Sequence, residues 1–348
     1  MKTFKGLSWL LLPIFLMGCK NGAEDRIDAF GTVVELKVSD CLFDDADYPL
    51  GTIEDIQIWN NCILLQHTDL PGSFTMLDSC GRVMTTFCHL GHGHNECLSV
   101  EPRFTVKKSV LSFYDRHAKN LCSINLDDVC KNPDSMKTVK RPVPYTLDFR
   151  PSYAAALMDG MVCRGSFAGE RFGCLDGENK RIHHGIDYPF ATGGLTDLEK
   201  GSVFQGFMIV CPSMDRFAIV TYASDVFELF RMTDSVPQRC FVSPCKKVPS
   251  VVESGGRKTT DTSRCCAGFI NGCATDSSVY LLYVDENYDE WARNGYKSFD
   301  ILSFGWDGRK KVKYHLPESV QCFTVSSDYL YVVSQTEGLN RLYRFRLP

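Results

Sequence analysis

The sequence predicts an all-β protein, specifically a six-bladed β-propeller built from four-stranded antiparallel blades. Apolar and β-branched runs of about four to eight residues recur along the chain, and Gly, Asp, Asn and Pro separate them, as is typical of strands joined by turns. Long stretches with helical periodicity are missing. A two-strand unit returns six times between about residue 50 and the C-terminus, and a period of roughly 40 to 50 residues is that of a propeller blade.

The repeated unit consists of a polar turn, a strand, a second turn with Asp, Gly or Asn, and a second strand. Its six occurrences cover residues 59–65 with 73–78, 107–114 with 120–127, 155–167 with 171–176, 215–222 with 226–232, 277–284 with 299–308, and 327–334 with 340–347. Each pair is predicted to supply strands of one blade.

The two ends of the chain are predicted to meet in one blade. The last unit offers three strand-like runs where a blade needs four, at residues 323–325, 329–334 and 342–347. Residues 32–38 form a strand-like run that has no partner in its own neighbourhood. An open ring would leave two sheet edges unpaired, which invites aggregation. We therefore expect residues 32–38 to supply the missing strand.

Composition and charge narrow the class of protein. The chain has 348 residues, 44% of them hydrophobic and 23% charged, which argues against a disordered chain or a coiled coil. Lys and Arg number 38 against 42 Asp and Glu, so the formal charge is −4. Proteins that bind nucleic acid usually carry a basic excess that displaces counterions. We therefore expect a globular monomer with no nucleic-acid partner.

The N-terminal segment predicts export. Lys2 and Lys5 precede an apolar run over residues 7–17, which is shorter than the roughly 20 residues needed to cross a bilayer and fits a secretory signal. Residues 16–19 read Leu-Met-Gly-Cys, the pattern of a bacterial lipobox, in which the cysteine is lipidated. The alternative is a general signal peptide with an incidental cysteine.

The lipobox interpretation divides the chain into three parts. We predict a lipoprotein signal peptide over residues 1–18, a lipidated tether over residues 19–30 and a single propeller domain over residues 31–348. Acyl chains on Cys19 would anchor the protein to a membrane. Because Lys20 rather than Asp follows that cysteine, we expect the outer membrane of the cell envelope, on its periplasmic or surface face.

The cysteines show no metal-binding spacing. The chain has 17, and 16 remain once Cys19 is set aside, an even number that would allow complete pairing in an exported protein. No C-x-x-C occurs, which removes the usual zinc-ribbon and thioredoxin spacings. Many cysteines fall inside apolar strand-like runs, where a free thiol packs as a small hydrophobe. We expect mostly reduced thiols, with a bridge or two.

Two groups of histidines are candidate metal sites, but solvated loops are the favoured interpretation of both. His89, His92, His94 and Glu96 are the densest cluster of possible metal ligands, and on one strand His92 and His94 would face the same side. The competing interpretation, a glycine-broken loop with solvated histidines, is favoured. The pair at residues 183–184 is predicted to lie in a solvated turn, since adjacent strand residues point to opposite faces.

Other candidate motifs indicate loops. Ser243 and Lys246 match S-x-x-K, but the prolines around them predict a loop, and no G-x-S-x-G, P-loop or H-E-x-x-H occurs. The acids of residues 44–47 lack the spacing of a calcium loop and predict a solvated acidic loop. Residues 142–151 and 248–262 are the longest segments of loop-like composition, and we expect them to project from one propeller face, where binding residues usually gather.

Several segments in order along the mature chain resemble one known family. They are Leu-Gly-Thr-Ile-Glu-Asp-Ile at 50–56, Phe-Cys-His-Leu-Gly-His-Gly-His-Asn-Glu at 87–96, Phe-Gly-Trp-Asp-Gly at 304–308, Tyr-His-Leu at 314–316, Phe-Thr-Val at 323–325 and Leu-Tyr at 330–331. The chain is similar to the TolB-like six-bladed β-propeller lipoproteins of Bacteroidetes, relatives of NHL-type propellers. Residues 87–96 match the family linker but depart where Gly-Pro would stand. The resemblance implies the fold and export, and no single activity.

The sequence therefore favours a binding or scaffolding propeller without catalytic, cofactor or metal residues. Its ligand would be a protein, a peptide or a glycan on one propeller face, and its membrane contact the lipid on Cys19. The alternative is a metal-dependent hydrolase or lyase whose ion lies on the central axis, held by His, Asp or Glu from several blades. Such axial ligands need no local spacing, so the sequence leaves the alternative open.

Overall fold

The chain forms a ring of six blades, each with four antiparallel strands. The computed structural model describes residues 26–44, 49–68, 72–336 and 338–348. Within this part, each sheet contacts the next around the ring, and the sixth contacts the first. The six-bladed propeller predicted from the repeat is therefore confirmed. None of the described helices is both long and apolar enough to span a membrane.

The strands follow the ring in chain order, from the axis outward within each blade. Two strands come first, β1 (Val33–Glu35) and β2 (Val38–Asp44). Blade one contains β3 (Ile53–Trp59), β4 (Cys62–His67), β5 (Gly72–Leu77) and β6 (Val83–His89). Blade two contains β7 (Thr105–Lys107), β8 (Val110–Asp115), β9 (Asn120–Asn125) and β10 (Thr138–Pro142). Blade three contains β11 (Phe149–Leu157), β12 (Gly160–Phe167), β13 (Gly173–Asp176) and β14 (Arg181–Ile182).

The second half of the ring continues in the same way. Blade four contains β15 (Gly206–Val210), β16 (Arg216–Thr221), β17 (Phe227–Thr233) and β18 (Val236–Val242), and a separate hairpin of β19 (Val251–Ser254) and β20 (Arg257–Thr260) follows it. Blade five contains β21 (Cys266–Ala274), β22 (Ser278–Asn287), β23 (Asp300–Gly305) and β24 (Lys310–His315). Blade six contains β25 (Cys322–Val325), β26 (Tyr329–Thr336) and β27 (Leu339–Arg346). Three short helices are α1 (Leu126–Lys131), α2 (Asp197–Val203) and α3 (Tyr288–Arg293).

The ring closes through the N-terminal part of the chain, as predicted, but through a different strand. β2 pairs antiparallel with β27 and becomes the fourth strand of blade six. Its register is reinforced by ion pairs from Arg344 to Asp40 at 2.6 Å and from Arg341 to Asp44 at 2.9 Å. The assignment of residues 32–38 to this role is wrong, because β1 pairs parallel with β24 and widens blade five.

The hydrophobic core lies between the blades. Each large cluster of buried apolar side chains joins neighbouring blades, and the cluster around Phe43, Ile56 and Leu342 seals blade six against blade one. Because a blade packs on both of its faces, its middle strands are buried on both sides, and every residue of β5 is buried. This explains why strands such as β8 read as nearly continuous apolar runs rather than as alternating ones.

Longer connections collect on one face of the ring. Because strands alternate in direction, the links between blades and the turns between second and third strands emerge together, and we call this side the loop face. It carries residues 90–104 and 143–148, α2, the β19–β20 hairpin and α3. The two segments predicted to project from one face do so, although residues 248–262 form mainly a hairpin.

The start of the described chain packs on blade five. Ile27 is buried in the core between blades four and five, and the ring of Phe30 meets that of Phe304 at a centroid distance of 5.4 Å. Arg26 donates to the carboxylate of Asp285 at 2.7 Å. Residues 26–30 are therefore part of the folded body, because they bury apolar surface, and the predicted tether over residues 19–30 does not extend through them.

Closure by β2 generates a stability prediction. A chain that begins at residue 45 should lose its cooperative melt or melt more than about 10 °C lower than one that begins at residue 37. It loses the fourth strand of blade six and buried Phe43, and burying a Phe side chain contributes about 3 to 5 kcal/mol. Circular dichroism melts of both chains provide the measurement.

The chain that begins at residue 37 is the matched control, since it has lost β1 and residues 26–30 but keeps β2. Equal melting temperatures for the two truncated chains would show that the ring does not depend on β2.

Candidate functional site

The central axis does not offer the ligands of an axial metal site. In the described structure the innermost strands are β3, β7, β11, β15, β21 and β25, and they contain no histidine. Their only carboxylates are Glu54 and Asp55, which are adjacent on β3, so the other five inner strands supply none. An ion held by His, Asp or Glu from several blades does not fit this donor set.

Arg103 fills the channel instead. It enters from the link between blades one and two, and its Nη1 donates across the axis to the carbonyl oxygen of Gly272 on β21 at 2.9 Å. Its guanidinium lies 4.0 Å from the ring centroid of Phe207. Tyr153 donates its hydroxyl to the Arg103 carbonyl oxygen at 3.3 Å. The remaining cavity is about 40 Å³, whereas ligand pockets are roughly 300 Å³ or more, so the channel is too small for a substrate.

Gln66 fixes the backbone that carries Arg103. Its amide nitrogen donates to the Glu101 carbonyl oxygen at 2.8 Å, and its amide oxygen accepts the Arg103 N–H at 3.0 Å. Arg103 has a φ of 85°, a left-handed conformation that is uncommon for a residue with a side chain. The buried amide of β4 thus holds the turn that places the arginine on the axis.

Arg103 thus acts as a plug in the axial channel. Among the described residues that line the remaining cavity, Asp55 is the acidic one. It is 3% exposed, and its Oδ2 accepts the Phe104 N–H at 3.2 Å. Burial raises the pKa of Asp55 to about 6, and nearby Arg103 acts in the opposite direction. With so little free volume beside it, this carboxyl group belongs to the plug rather than to a substrate site.

A larger opening lies on the loop face between blades two and three. This groove has a volume of about 580 Å³, within the range of ligand sites. Arg116, His117 and Lys119 approach it from the turn between β8 and β9, Arg150 from β11, and Tyr145 from residues 143–148. We call this opening the basic groove. The residues that line it include no acidic side chain.

Local structure explains why the basic side chains gather there. The Asp115 carboxylate accepts the Ala118 N–H at 3.0 Å, which closes the turn that presents Arg116 and Lys119. Helix α2 forms the opposite wall and starts at Thr196 with a capping box. A Cβ atom on Gly201 would meet the Gly165 carbonyl oxygen at 2.7 Å, so glycine lets this wall approach β12 closely.

The positive charges of the basic groove are weakly compensated. Arg116 lies 3.9 Å from the carboxylate of Glu101, a long ion pair. Arg150 donates its Nε to the Leu147 carbonyl oxygen at 3.1 Å, and Lys119 Nζ lies 4.0 Å from the ring centroid of Tyr145. Within the described ranges neither Lys119 nor Arg150 has a carboxylate partner. In a chain of net charge −4, this is a local reversal of sign that suits a negatively charged ligand.

The two groups of candidate histidines lie in different environments. His89, His92 and His94 are exposed at the end of β6 and in the link between blades, and Glu96 accepts the Gly93 N–H at 2.7 Å. In the described residues they form no cluster of metal ligands.

The solvated turn predicted for residues 183–184 is wrong for one member. His183 is exposed, but the ring of His184 is buried and stacks on Phe172 at 4.2 Å. The two ring nitrogens of His184 contact the Phe172 carbonyl oxygen and the Ile186 N–H, and burial lowers its pKa. Its role is therefore structural.

The remaining candidates are structural or lie outside the described residues. Ser243 is buried in the loop after β18, where its hydroxyl donates to the Asp225 carbonyl oxygen at 2.9 Å. Asp44 ends β2 and pairs with Arg341, so it is not part of a solvated loop, and residues 45–48 lie outside the description. Cys19 also lies outside it.

The sequence does not identify the residues of the basic groove as a site. Arg116, His117 and Lys119 form a short basic turn, and residues 142–151 have an aromatic, loop-like composition, but nothing in the sequence places these two segments together. Their proximity arises from the packing of β11 against blade two.

The raised pKa of Asp55 predicts a pH-dependent stability. Because its folded pKa of about 6 exceeds the unfolded value, Asp55 favours the folded state below about pH 4, and this contribution disappears as pH rises through 6. Asp55→Asn should remove that loss and stabilise the protein at pH 8 by up to about 3 kcal/mol, with little effect at pH 4. Denaturant unfolding of both chains from pH 4 to 8 provides the measurement.

The wild-type and Asp55→Asn chains must be compared because His67 changes the stability with pH in the opposite direction to Asp55. Burial lowers the pKa of His67 to about 4, so its contribution falls as pH drops below 6.5. Asp307→Asn, an exposed change in the turn after β23, is the control. A wild-type minus Asp55→Asn difference that stays constant with pH would contradict the prediction.

Comparisons with known proteins agree with this architecture. Two solved structures resemble the chain: a putative exported protein from Bacteroides fragilis NCTC 9343, with a TM-score of 0.58, 14% identity and coverage of 89% of this chain and 94% of that one, and a DUF4221 family member from Bacteroides vulgatus ATCC 8482, with a TM-score of 0.52, 11% identity and coverage of 89% and 97%. At these identities the likeness shows the fold alone. No curated protein matches the chain.

A family model described as TolB-like 6-blade propeller-like matches residues 75–328. That range is most of the chain, and it includes all of blades two to five. The protein belongs to the TolB-like six-bladed β-propeller family.

Proposed function

We propose that the protein is an exported, membrane-anchored binding module whose basic groove holds an acidic peptide segment of a partner protein. The observation that carries the proposal is the basic groove itself, which combines four basic residues with no acidic lining on the loop-rich face. Loops held on a rigid scaffold are where binding residues usually lie.

The surroundings of the groove favour a peptide over a glycan. Tyr145, Leu147 and Leu198 are among the exposed large hydrophobic residues of the chain, and Leu147 is 82% exposed. They lie on residues 143–148 and on α2, the two segments that border the basic side chains. A peptide with alternating acidic and apolar side chains would satisfy both the charges and the exposed apolar groups.

The axial enzyme alternative receives no comparable support. The inner strands of the described ring lack histidine, and the channel beside Asp55 holds about 40 Å³. Neither the ligands for an ion nor the volume for a substrate is available there.

Export and anchoring rest on the N-terminal sequence. A basic start, a short apolar run and the Leu-Met-Gly-Cys pattern ending at Cys19 support cleavage and lipid attachment. One structurally similar protein is described as a putative exported protein, which is consistent with export of this chain. We propose that the lipid on Cys19 holds the propeller at the outer membrane.

Charge reversal in the groove should weaken binding of an acidic peptide. A fluorescein-labelled peptide of alternating Glu and Leu should bind the mature chain, and Lys119→Glu with Arg150→Glu should weaken binding about tenfold or more, since favourable pairs become repulsive. Raised salt should also weaken binding, because rim charges are screened. Fluorescence anisotropy provides the measurement.

A double variant with the same change in charge on the opposite face, Lys108→Glu with Arg309→Glu, is the matched control and should bind normally. A Lys and Leu peptide should not bind. If polygalacturonate binds in the groove and the acidic peptide does not, the ligand is a glycan and the proposed peptide is wrong.

Anchoring is tested separately at the lipobox. Cys19→Ala should prevent lipid attachment and move the protein from the membrane fraction to the soluble fraction, or leave an uncleaved precursor. Fractionation of cells and mass spectrometry of the N-terminal peptide provide the measurement. Cys41→Ala, the next cysteine along the chain, should leave the distribution unchanged, and membrane retention of the Cys19→Ala chain would contradict lipid anchoring.

A further inference from the structure

Two cysteines and an aspartate meet inside the boundary between blades one and two, and a third cysteine lies beside them. Cys88, Cys97, Cys122 and Asp115 are each 0 to 1% exposed. The Sγ atoms of Cys97 and Cys122 are 4.0 Å apart, and each lies within 4.8 Å of an Asp115 carboxylate oxygen. Cys88 is buried in the same apolar cluster as Cys97 and Cys122, just outside this close group. We call these four residues the thiol cluster.

Each member comes from a different part of the blade boundary. Cys88 precedes the last residue of β6 and has a φ of 63°, a left-handed conformation for a residue with a Cβ atom. Cys97 lies in the link between the blades, where its N–H donates to the His89 carbonyl oxygen at 3.2 Å and its carbonyl oxygen accepts the Gly91 N–H at 2.9 Å. Cys122 belongs to β9 of blade two.

Asp115 is held in place by groups around it. Its Oδ2 accepts the Leu98 N–H at 2.8 Å, and its Oδ1 accepts the Ser99 hydroxyl and the Ala118 N–H, each at 3.0 Å. These three bonds leave unused acceptor capacity on a carboxylate, which has about four lone-pair sites. Outer hydrogen bonds of this kind orient metal-ligating carboxylates.

We propose that the thiol cluster is a structural metal site for one divalent cation such as zinc, bound by the thiolates of Cys97 and Cys122 and by the carboxylate of Asp115. The neighbouring Cys88 turns its side chain inward and supplies the fourth ligand. Two thiolates of a tetrahedral site whose sulfurs are 4.0 Å apart imply metal–sulfur distances of about 2.4 Å, close to the roughly 2.3 Å of zinc sites. Binding releases the three thiol protons to solvent.

The geometry favours a metal over a disulfide. A disulfide between Cys97 and Cys122 would leave the buried Asp115 carboxylate beside it without a cation, whereas a metal ion uses both thiols and the carboxylate. The thiolates and the carboxylate carry more negative charge than one divalent cation neutralises, and the ammonium group of Lys140 lies nearby. Lys140 is opposite Cys122 in the register of β10 and β9, and its Nζ donates to the Glu96 carbonyl oxygen at 2.6 Å. The cation would join the link to both blades.

Cadmium titration of the full chain, purified reduced and without oxygen, tests the proposal. Cd²⁺ is a spectroscopic stand-in for zinc, because its thiolate complexes absorb in the near ultraviolet. We expect one Cd²⁺ per chain and slower alkylation of Cys88, Cys97 and Cys122, whose buried thiols react only when the protein opens locally. Peptide mass spectrometry over time gives these rates with and without Cd²⁺. Added Zn²⁺ should displace the Cd²⁺ and remove the absorption. Failure to take up metal, or uptake that leaves the three alkylation rates unchanged, overturns the proposal.

Variants separate this site from other buried thiols. Cys97→Ser should reduce the absorption and weaken metal binding at least tenfold, whereas Cys163→Ser, at a fully buried cysteine of blade three, should leave both unchanged. The alkylation pattern of the unmodified chain does not depend on how either variant folds. A Cys97 to Cys122 disulfide in chain purified without reductant and with no bound metal would also overturn the proposal.

Discussion

The structure depends on one pairing, that of β2 with β27. In every other blade the four antiparallel strands come from one continuous stretch of chain, although β1 is added to the outer side of blade five. Blade six instead requires residues about 300 positions apart to align, as in the bond between Arg344 and Asp40. This contact costs more chain entropy than any local hairpin, and it supplies the fourth strand of blade six from the opposite end of the chain.

Once the ring is closed, apolar packing between blades carries most of the stability and polar contacts fix how neighbouring blades fit. Arg171 of blade three lies in such a contact, with its Nε donating to the buried Glu228 of blade four at 3.0 Å and its Nη2 donating to Thr221 at 2.9 Å. Arg239 adds a second cation at 2.8 Å from Glu228. Removal of one partner from a buried ion pair costs about 3 to 5 kcal/mol, because the other charge is left without compensation. Such a pair specifies the fit rather than adding much net stability.

The repeat predicted the architecture because blade strands are local and buried on both faces. The closing strand was misplaced because residues 32–38 are rich in β-branched and apolar side chains, whereas β2 carries Ser39, Asp40 and Asp44, which make a poor strand signal in isolation. Those polar residues suit an outer strand, where Arg341 and Arg344 meet them.

The functional candidates were harder to predict for a related reason. His184 follows an exposed residue in a turn, and only the position of Phe172 buries it. The basic groove and the thiol cluster each draw on segments that are distant in the chain, so no spacing rule could find them. The missing C-x-x-C concerns only local zinc motifs and could not address a cluster assembled from β6, the link and blade two.

The link over residues 90–104 connects the three features that the fold positions. It contributes Cys97 to the thiol cluster, and two residues later Ser99 bonds to Asp115. Its Glu101 lies beside Arg116 at the rim of the basic groove, and Arg103 fills the axial channel. A rigid link keeps the channel closed and the charge balance of the groove fixed. Because the thiol cluster lies at the start of this link, a cation there would restrain the segment before it reaches either feature, so a structural metal and a binding groove are compatible roles of one connection.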